Sequence, residues 1–338
     1  MWQPQAFPLA TTLLWLRFAA GLAMRAPLGH VCALECAARS AGTAAGTKQL
    51  WMSAIPANIR AIGKGRRTRA VWLYGGVGLL ALWTLVPLYW LFFLALTPPI
   101  VLLHDPTPLV PSPPTAANFA WLLTPGNGQA AQVRAGFANS FMVASLVTIL
   151  TLAVATPAAY AASRGRFRGA AFVHGAVLAS RAYPPIALAV PFFWLYVRLD
   201  LLGTRHGLVA AYLGATVPLA IWVLISIFAG LSPTVLAAAR LDGNTPWQVF
   251  WRVAVPLARP GIVAAGVITF TGCWNEFALA QFLTAGSSAQ TFPLAVAPLL
   301  SALPNEMAAA LIVSLTPAVA LAVAFRGVFR SLVQVGAE

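Results

Sequence analysis

The side chains of this chain that could do covalent chemistry are few and scattered. The 338 residues include four histidines, three cysteines and seven acidic residues. We find no Ser/His/Asp or Cys/His pattern around Ser140 or Cys273. Gly46-Thr47-Lys48 lacks the upstream glycine of a phosphate-binding loop. The sequence therefore predicts that the chain is not an enzyme, uses no cofactor and does not hydrolyse ATP by itself.

His30, Cys32 and Cys36 come nearest to a metal-binding pattern. A structural zinc site needs four ligands, usually two pairs at characteristic spacings. One C-x3-C pair with a single nearby histidine lacks the second pair. We therefore predict no metal site.

A polar segment, Leu236–Pro260, separates two apolar runs and reads LAAARLDGNTPWQVFWRVAVPLARP. It predicts a short Ala-rich helix, a break at Asp242-Gly243, and a second helix that begins at Pro246, because proline suits the first helical position. Val249, Phe250 and Val253 then fall on one face at helical spacing, with Trp247 and Trp251 beside them. Two short helices with such side chains predict a docking surface for another protein.

The composition indicates the kind of secondary structure on either side of this segment. The chain is 60% hydrophobic and 8% charged, whereas a soluble domain has about 25% charged residues. Six apolar runs reach the ~18–20 residues needed to cross a bilayer: Val71–Thr97, Asn139–Ser163, Gly169–Val197, Gly207–Leu231, Pro260–Ala285 and Met307–Phe325. They lack the alternation of a barrel, so we predict an all-α polytopic membrane protein with six transmembrane helices.

The net charge of +14 is distributed as in a membrane protein, and the pattern argues against a nucleic-acid partner. Four basic sets occupy alternate loops: Lys64, Arg66, Arg67 and Arg69; Arg164, Arg166 and Arg168; Arg240, Arg252 and Arg259; Arg326 and Arg330. The positive-inside rule places these loops in the cytoplasm. It predicts a cytoplasmic N-terminus and C-terminus for the six-span core, and an external segment at Thr284–Asn305.

The polar segment also resembles the cytoplasmic EAA loop of permease subunits of ATP-binding-cassette importers. Five residues stand at the family's positions: Asp242, Gly243, Phe250, Pro256 and Pro260. Ala237 replaces the family's leading glutamate. Weaker similarities occur from about Val71 to the C-terminus: Asn139-Ser140, Ala158-Ala159-Tyr160-Ala161, Ser163-Arg164, Pro184-Pro185 and Trp274-Asn275-Glu276-Phe277. Together they are similar to the carbohydrate-type branch, and within it to the smaller, second permease of a maltose-like heterodimer.

This resemblance implies a type I importer permease fold in the inner membrane, with room for an extra N-terminal helix. It implies a second permease subunit, cytoplasmic ATPase subunits and an extracytoplasmic solute-binding protein as partners, beside membrane lipid. Coupling to the ATPase would fall to residues of the loop 232–260: Ala237, Ala238, Ala239, Asp242, Gly243, Trp247, Phe250 and Pro256.

The predicted function is half of a translocation path for a sugar or oligosaccharide, with glycerol phosphate and polyamines as rival solutes in the same class. A secondary transporter driven by an ion gradient is the alternative from a different class. Such transporters usually show paired repeats or several intramembrane acids. We find no convincing repeat and one clear acid within a span, Glu276.

Charged residues and prolines inside the spans are candidates for the substrate path: Arg181, Pro184, Pro185, Asn275 and Glu276. A charge in hydrocarbon costs a few kcal/mol, so it usually faces a cavity or a partner. The proline pair interrupts the third span. An ion pair between Glu276 and Arg181, or a packing kink at the prolines, explains the same residues without a role in transport.

Residues 1–69 differ from the permease domain predicted at 70–338. Residues 1–70 hold nine of the 21 basic residues and two of the three cysteines. One interpretation is that translation truly starts at Met52. The other is an additional amphipathic or membrane-inserted N-terminal helix.

Overall fold

The computed structural model describes residues 62–104, 110, 113–164, 175, 177, 179, 187 and 189–327. The chain divides into two compact units, Met1–Leu82 and Trp83–Glu338. The described residues form helices joined by turns, without a strand. The extension before Met52, the His30 group and the substrate-path candidates Arg181, Pro184 and Pro185 lie outside the described residues.

The described residues form fourteen α-helices. We number them in order: α1 Ile62–Leu96, α2 Pro99–His104, α3 Ala117–Trp121, α4 Gly128–Ser163, α5 Ala189–Arg198, α6 Arg205–Ala229, α7 Pro233–Leu241, α8 Pro246–Val249, α9 Val255–Trp274, α10 Ala278–Thr284, α11 Phe292–Val296, α12 Leu299–Ala302, α13 Pro304–Ser314 and α14 Thr316–Ala324.

In the first unit, α1 has a basic start at Lys64–Arg69, and its residues 71–82 are apolar on all sides. Side chains 71–82 are exposed to the surroundings of the protein. A helix without a polar face has no stable place in water, so this exposure indicates contact with lipid or with another membrane helix.

Five stretches of the described chain are long and apolar enough to cross a membrane. They are Val71–Leu96, Gly128–Ser163, Arg205–Ala229, Pro246–Trp274 and Pro304–Ala324. Of the third predicted span, the structure describes α5 and the single helical residues 175, 177 and 179. The predicted all-α polytopic class is confirmed.

In the second unit, α4 is the element on which the other helices assemble. Its 36 residues bury one stripe of mostly small side chains against α6, α9 and α11. Near its middle, Val143, Ala144 and Val147 join the core with Tyr212 and Trp274. Near its C-terminal end, Ala155 and Ala159 join a second core cluster. Small residues allow the backbones of membrane helices to approach closely.

The predicted span Pro260–Ala285 is wrong at both ends. Helix α8 continues through a wider turn, Phe250–Ala254, into α9, so one helical run extends from Pro246 to Trp274. The separate second short helix predicted for the loop is therefore the first turn of this span. The run ends at Asn275, and α10 begins after a break.

Buried asparagine amides fasten helix ends at the α4 N-terminal end of the second unit. The Asn118 side chain donates to the carbonyls of Ala95 and Thr97, each at 2.9 Å. The Asn305 side chain donates to the carbonyls of Leu94 and Thr97 at 3.0 and 2.8 Å. These carbonyls lie in the last turn of α1 or directly after it, and that of Leu94 also accepts from the Thr97 N–H at 3.2 Å. In a medium without water, a carbonyl at a helix end that finds no such partner costs several kcal/mol.

The same end of α4 holds the segment before α11. The Asn139 amide donates to the carbonyls of Ser288 and Gln290 at 2.9 and 2.8 Å. The Ser140 hydroxyl accepts a hydrogen bond from the Phe292 amide at 2.8 Å. Gly136 lets α11 approach closely, because a Cβ there would lie 2.8 Å from the Ala295 Cβ and 3.2 Å from the Thr291 carbonyl oxygen.

We expect Gly136→Leu to destabilise the second unit, because the new side chain would push α11 away from α4. Overpacking of this kind costs about 1–3 kcal/mol. The matched control is Gly214→Leu on α6, where a Cβ meets nothing within 4 Å. Thermal unfolding in detergent should show a lower Tm for the Gly136 variant and an unchanged Tm for the control. Equal Tm values would contradict the close packing.

Candidate functional site

The predicted docking segment lies at the C-terminal end of α4, between α6 and α9. Helix α7 starts with Pro233 and ends at Leu241. A four-residue turn, Asp242–Thr245, leads into α8. The predicted first helix, the break at Asp242-Gly243 and the helix start at Pro246 are confirmed.

Gly243 makes the sharp turn. Its φ is +83°, in the left-handed region that costs other residues roughly 1–2 kcal/mol. The break predicted at Asp242-Gly243 is thus a turn with a left-handed glycine. The side-chain bond that closes this turn comes from Asn244, whose amide donates to the Ala239 carbonyl at 2.9 Å. Asp242 closes it through its backbone N–H, which donates to the Ala238 carbonyl at 3.0 Å.

A reciprocal capping pair starts α8. The Thr245 hydroxyl accepts from the Gln248 N–H at 3.3 Å, and the Gln248 side-chain oxygen accepts from the Thr245 N–H at 2.8 Å. The sequence T-P-x-Q carries the signal of such a pair, beyond the proline from which the helix start was predicted. The two bonds satisfy donors that the helix start would otherwise expose.

The inner face of the segment is a small core of its own. Leu236, Ala239, Val249 and Phe250 are buried there against α4 and α6. Two of the predicted coupling residues, Ala239 and Phe250, therefore shape the segment from inside and do not reach its surface.

Tyr160 and Arg164, at the C-terminal end of α4, connect this core to α4 and α6. The sequence alone predicted a site role for neither residue. The Tyr160 ring lies between the rings of Phe228 and Phe250, at centroid distances of 5.4 and 5.0 Å. The Arg164 guanidinium donates to the Phe228 carbonyl at 2.7 Å. It also lies over the Tyr160 ring, 5.2 Å from the centroid, within the range of a cation–π interaction.

The outer face of the segment presents large apolar side chains. Leu241 is 89% exposed, Trp247 63% and Trp251 50%. We call these three residues, together with the exposed Ala238 of α7, the loop surface. The other exposed predicted coupling residues are Ala237, Asp242, Gly243 and Pro256. A local fold that displays apolar residues outward is typical of a protein-binding surface.

Glu276 lies in the break after α9, outside any helix, which corrects its predicted place within a span. Its carboxylate accepts a hydrogen bond from the Leu279 N–H at 2.9 Å and so starts α10. Its backbone carbonyl accepts from the Tyr212 hydroxyl at 3.4 Å. The Asn275 amide donates to the Thr271 carbonyl at 2.9 Å. The polar groups of both residues thus hold the ends of helices. Their place in a substrate path stays a prediction.

The sequence around this segment is similar to a known family of membrane proteins. The family described as "Binding-protein-dependent transport system inner membrane component" matches residues 152–334, which include the whole docking segment. The chain belongs to this family. It is a multi-pass inner-membrane permease of the ATP-binding-cassette importer type, as the resemblance implied. The family is one of transport subunits.

Two relatives and one solved structure illustrate the similarity. The trehalose transport system permease protein SugB of Mycobacterium tuberculosis is 34% identical over 215 residues, which is 64% of this chain and 76% of the relative. The trehalose/maltose transport system permease protein MalG of Thermococcus litoralis is 30% identical over 226 residues, 66% and 78% of the two chains. A chain of a bacterial ABC transporter involved in import of the acidic polysaccharide alginate shares the fold, with a TM-score of 0.66 at 19% identity over 78% of this chain and 97% of that one.

We expect Phe250→Ala and Leu241→Ala to separate the two faces of the segment. Phe250 is 2% exposed, and removal of such a ring costs about 3–5 kcal/mol. Leu241 projects outward, so its truncation should change stability by less than about 0.5 kcal/mol. Urea unfolding in mixed micelles gives both values. A small loss for Phe250→Ala would contradict the small core described above.

Proposed function

We propose that this permease forms half of a translocation path for a sugar or oligosaccharide, and that its loop surface binds a cytoplasmic ATPase subunit. One observation carries the second statement. The segment completes its own helix caps and its own core, and still leaves Leu241, Trp247 and Trp251 exposed. An apolar surface held in a fixed shape suits the helix-in-groove mode of recognition.

The connection of the segment to the spans supports a mechanical role. Helix α8 passes without interruption into α9, so a displacement of the loop surface moves the N-terminal end of that span. Tyr160 and Arg164 connect the same segment to α4 and α6. Closure of a pair of ATPase subunits would therefore act on three spans through one rigid body.

The wider turn at Phe250–Ala254 fits this role. The Val255 N–H donates to the Phe250 carbonyl, five residues earlier, and the next residue, Pro256, has no N–H to offer. A wider turn accommodates the missing donor without ending the helix. The wider turn thus keeps the loop surface and α9 in one continuous helix in spite of Pro256.

Charge favours an ATPase groove with an acidic rim. Arg240, Arg252 and Arg259 are exposed around the segment, against one acidic residue, Asp242. Complementary charge at the edge of an interface speeds association and selects the partner more than it adds affinity. The proposed partner therefore combines an apolar groove with carboxylates at its margin.

Membership of the family supports the rest of the proposed assembly. A second permease subunit would complete the path, and an extracytoplasmic binding protein would deliver the solute. Relatives named for trehalose and maltose support a carbohydrate. Glycerol phosphate or a polyamine would require the same coupling with a different binding site. An ion-gradient-driven transporter would have no use for the loop surface.

We propose that the loop surface and the termini of the six-span core face the cytoplasm. Arg164, Arg240, Arg252 and Arg259 lie at the same end of the second unit as the segment, which supports this orientation. Single cysteines at Asp242 and Ser301 test it, because Ser301 lies in α12 at the other end of α4. A membrane-impermeant maleimide should label the Ser301 variant in intact cells and the Asp242 variant after lysis. Labelling of both variants in intact cells would contradict the orientation.

We expect Leu241→Asp to abolish association with the ATPase while the permease stays at its normal level in the membrane. The new carboxylate would face the apolar groove and carry the same charge as its proposed rim. Such a desolvated, unpaired charge costs several kcal/mol at an interface. Copurification of an ATPase subunit with the tagged permease from native membranes is the measurement.

The matched control is Leu300→Asp, since Leu300 is also exposed, at the far end of the second unit. It should copurify the ATPase as the unaltered chain does. The variant Ala239→Glu is unsuitable, because a buried charge there would disrupt the segment itself. Normal ATPase association with Leu241→Asp would remove the coupling role from the loop surface.

A further inference from the structure

A polar groove opens at the α4 N-terminal end of the second unit, far from the loop surface. It lies between α4, α10 and the segment that leads through α11, and its volume is about 740 Å³. Five side chains supply its polar groups: Gln132, Gln281, Ser287, Ser288 and Gln290. Small and aliphatic residues such as Ala135 and Leu294 form its apolar part. We call it the amide groove, and its size lies within the range of ligand sites, roughly 300–1,000 Å³.

The glutamine amides of this groove retain their hydrogen-bonding capacity. Each side-chain amide offers two donors and one acceptor. Those of Gln132, Gln281 and Gln290 bond to no residue in the described ranges, whereas Asn118, Asn139 and Asn305 use their amides on backbone carbonyls. Ser287 differs, because its hydroxyl donates to the Thr284 carbonyl and accepts from the Ala289 N–H. Ser287 therefore shapes the groove, and the three glutamines with Ser288 are left to meet a ligand.

The charges around the groove restrict what that ligand can be. None of the residues that line it is ionisable. Arg134 lies on the same helix but donates from its guanidinium to the Leu122 carbonyl in the direction of α3. A phosphate would need a cationic partner and a polyamine would need carboxylates. Uncharged amides and hydroxyls instead match a solute that offers uncharged hydroxyl groups.

The walls of the groove are held in place before any ligand arrives. Asn139 and Ser140 fasten the segment beside it to α4. The Gly203 N–H donates to the Leu283 carbonyl at 2.8 Å, which ties α10 to the turn before α6. Polar groups that are already positioned bind with a smaller loss of conformational entropy.

We propose that the amide groove is a binding subsite for a neutral carbohydrate. Its glutamines and Ser288 exchange hydrogen bonds with sugar hydroxyls, and its small apolar residues contact the C–H faces of the ring. This inference rests on the proposed importer function and narrows its solute to an uncharged, polyhydroxylated one at this site.

Ligand protection of a single cysteine tests the proposal on the purified full-length permease in lipid nanodiscs. Ser288→Cys is introduced with Cys32 and Cys36 replaced by serine, while Cys273 is buried. Glucose, maltose, trehalose and lactose are the probes. The maleimide labelling rate should fall by the factor 1 + [L]/Kd, about tenfold when a sugar is present at roughly ten times its Kd. Spermidine and glycerol 3-phosphate should leave the rate unchanged.

Three control variants show whether the protection arises in the groove. Gln132→Leu with Gln281→Leu should leave the labelling rate without sugar unchanged and remove the protection, since both residues are exposed and serve no other bond in the described structure. Ser301→Cys, outside the groove, should label equally with and without sugar. Leu241→Asp should retain full protection, so that a failure of ATPase coupling and a failure of this proposal are distinguished.

Absence of protection by all four sugars would overturn the proposal. So would protection that survives the double glutamine variant, or protection by spermidine or glycerol 3-phosphate at similar concentrations. A sugar-free solute-binding protein could instead slow the labelling of Ser288→Cys while the sugars leave its rate unchanged. That result would make the groove a protein-docking surface and would equally refute a carbohydrate subsite.

Discussion

The structure depends on one constraint, which is that a backbone placed in hydrocarbon must satisfy its own hydrogen bonds. Within helices, the backbone N–H groups and carbonyls satisfy one another. Threonine hydroxyls also bond to this backbone, since Thr97, Thr148 and Thr269 each donate to the carbonyl four residues earlier. At helix ends the last backbone groups have no partner within the helix, so a side chain must bond to them. Asn118, Asn139 and Asn305 do this between segments distant in the sequence. The same bonds that satisfy the backbone therefore determine which helices meet.

This constraint explains why the two ends of the second unit have such different surfaces. At the docking segment, Gly243, Asn244 and the Thr245–Gln248 pair close the backbone locally. The apolar side chains outside this local structure are then free to bind a partner. At the other end, long-range amides close the backbone of the segment before α11, and the nearby glutamine amides remain available. The proposed docking surface and the proposed ligand groove thus depend on the same requirement. Hydrogen bonds between neighbouring residues meet it at one end, and hydrogen bonds between residues distant in the sequence meet it at the other.

The sequence predicted features that depend on local chemistry and missed those that depend on distant contacts. Pro246 starts a helix and Gly243 takes a positive φ because nearby atoms alone decide both outcomes. The end of the fifth span at Asn275 was not predicted, since the Glu276–Leu279 bond that begins α10 has no hydropathy signal. The aromatic contact of Tyr160 with Phe250 joins residues 90 positions apart, so no periodicity within one segment could reveal it. The groove glutamines were overlooked for the same reason. Their significance is that their amides meet in one groove without a hydrogen-bond partner in the described ranges, and only the fold brings them together.

The break at Asn275–Phe277 has a further meaning within the proposed mechanism. The loop surface and the amide groove lie at opposite ends of α4, whose 36 residues extend about 54 Å at 1.5 Å per residue. Helix α9 runs from the docking segment to this break, and α10, which carries Gln281 of the groove, starts directly after it. The Tyr212 hydroxyl and the Leu279 N–H both bond to Glu276, so one residue joins α6, α9 and α10. Any displacement of the loop surface that α9 carries to the groove would have to pass this joint. A rigid joint would carry the whole displacement to Gln281, whereas a hinge there would let α9 move while the groove keeps its shape.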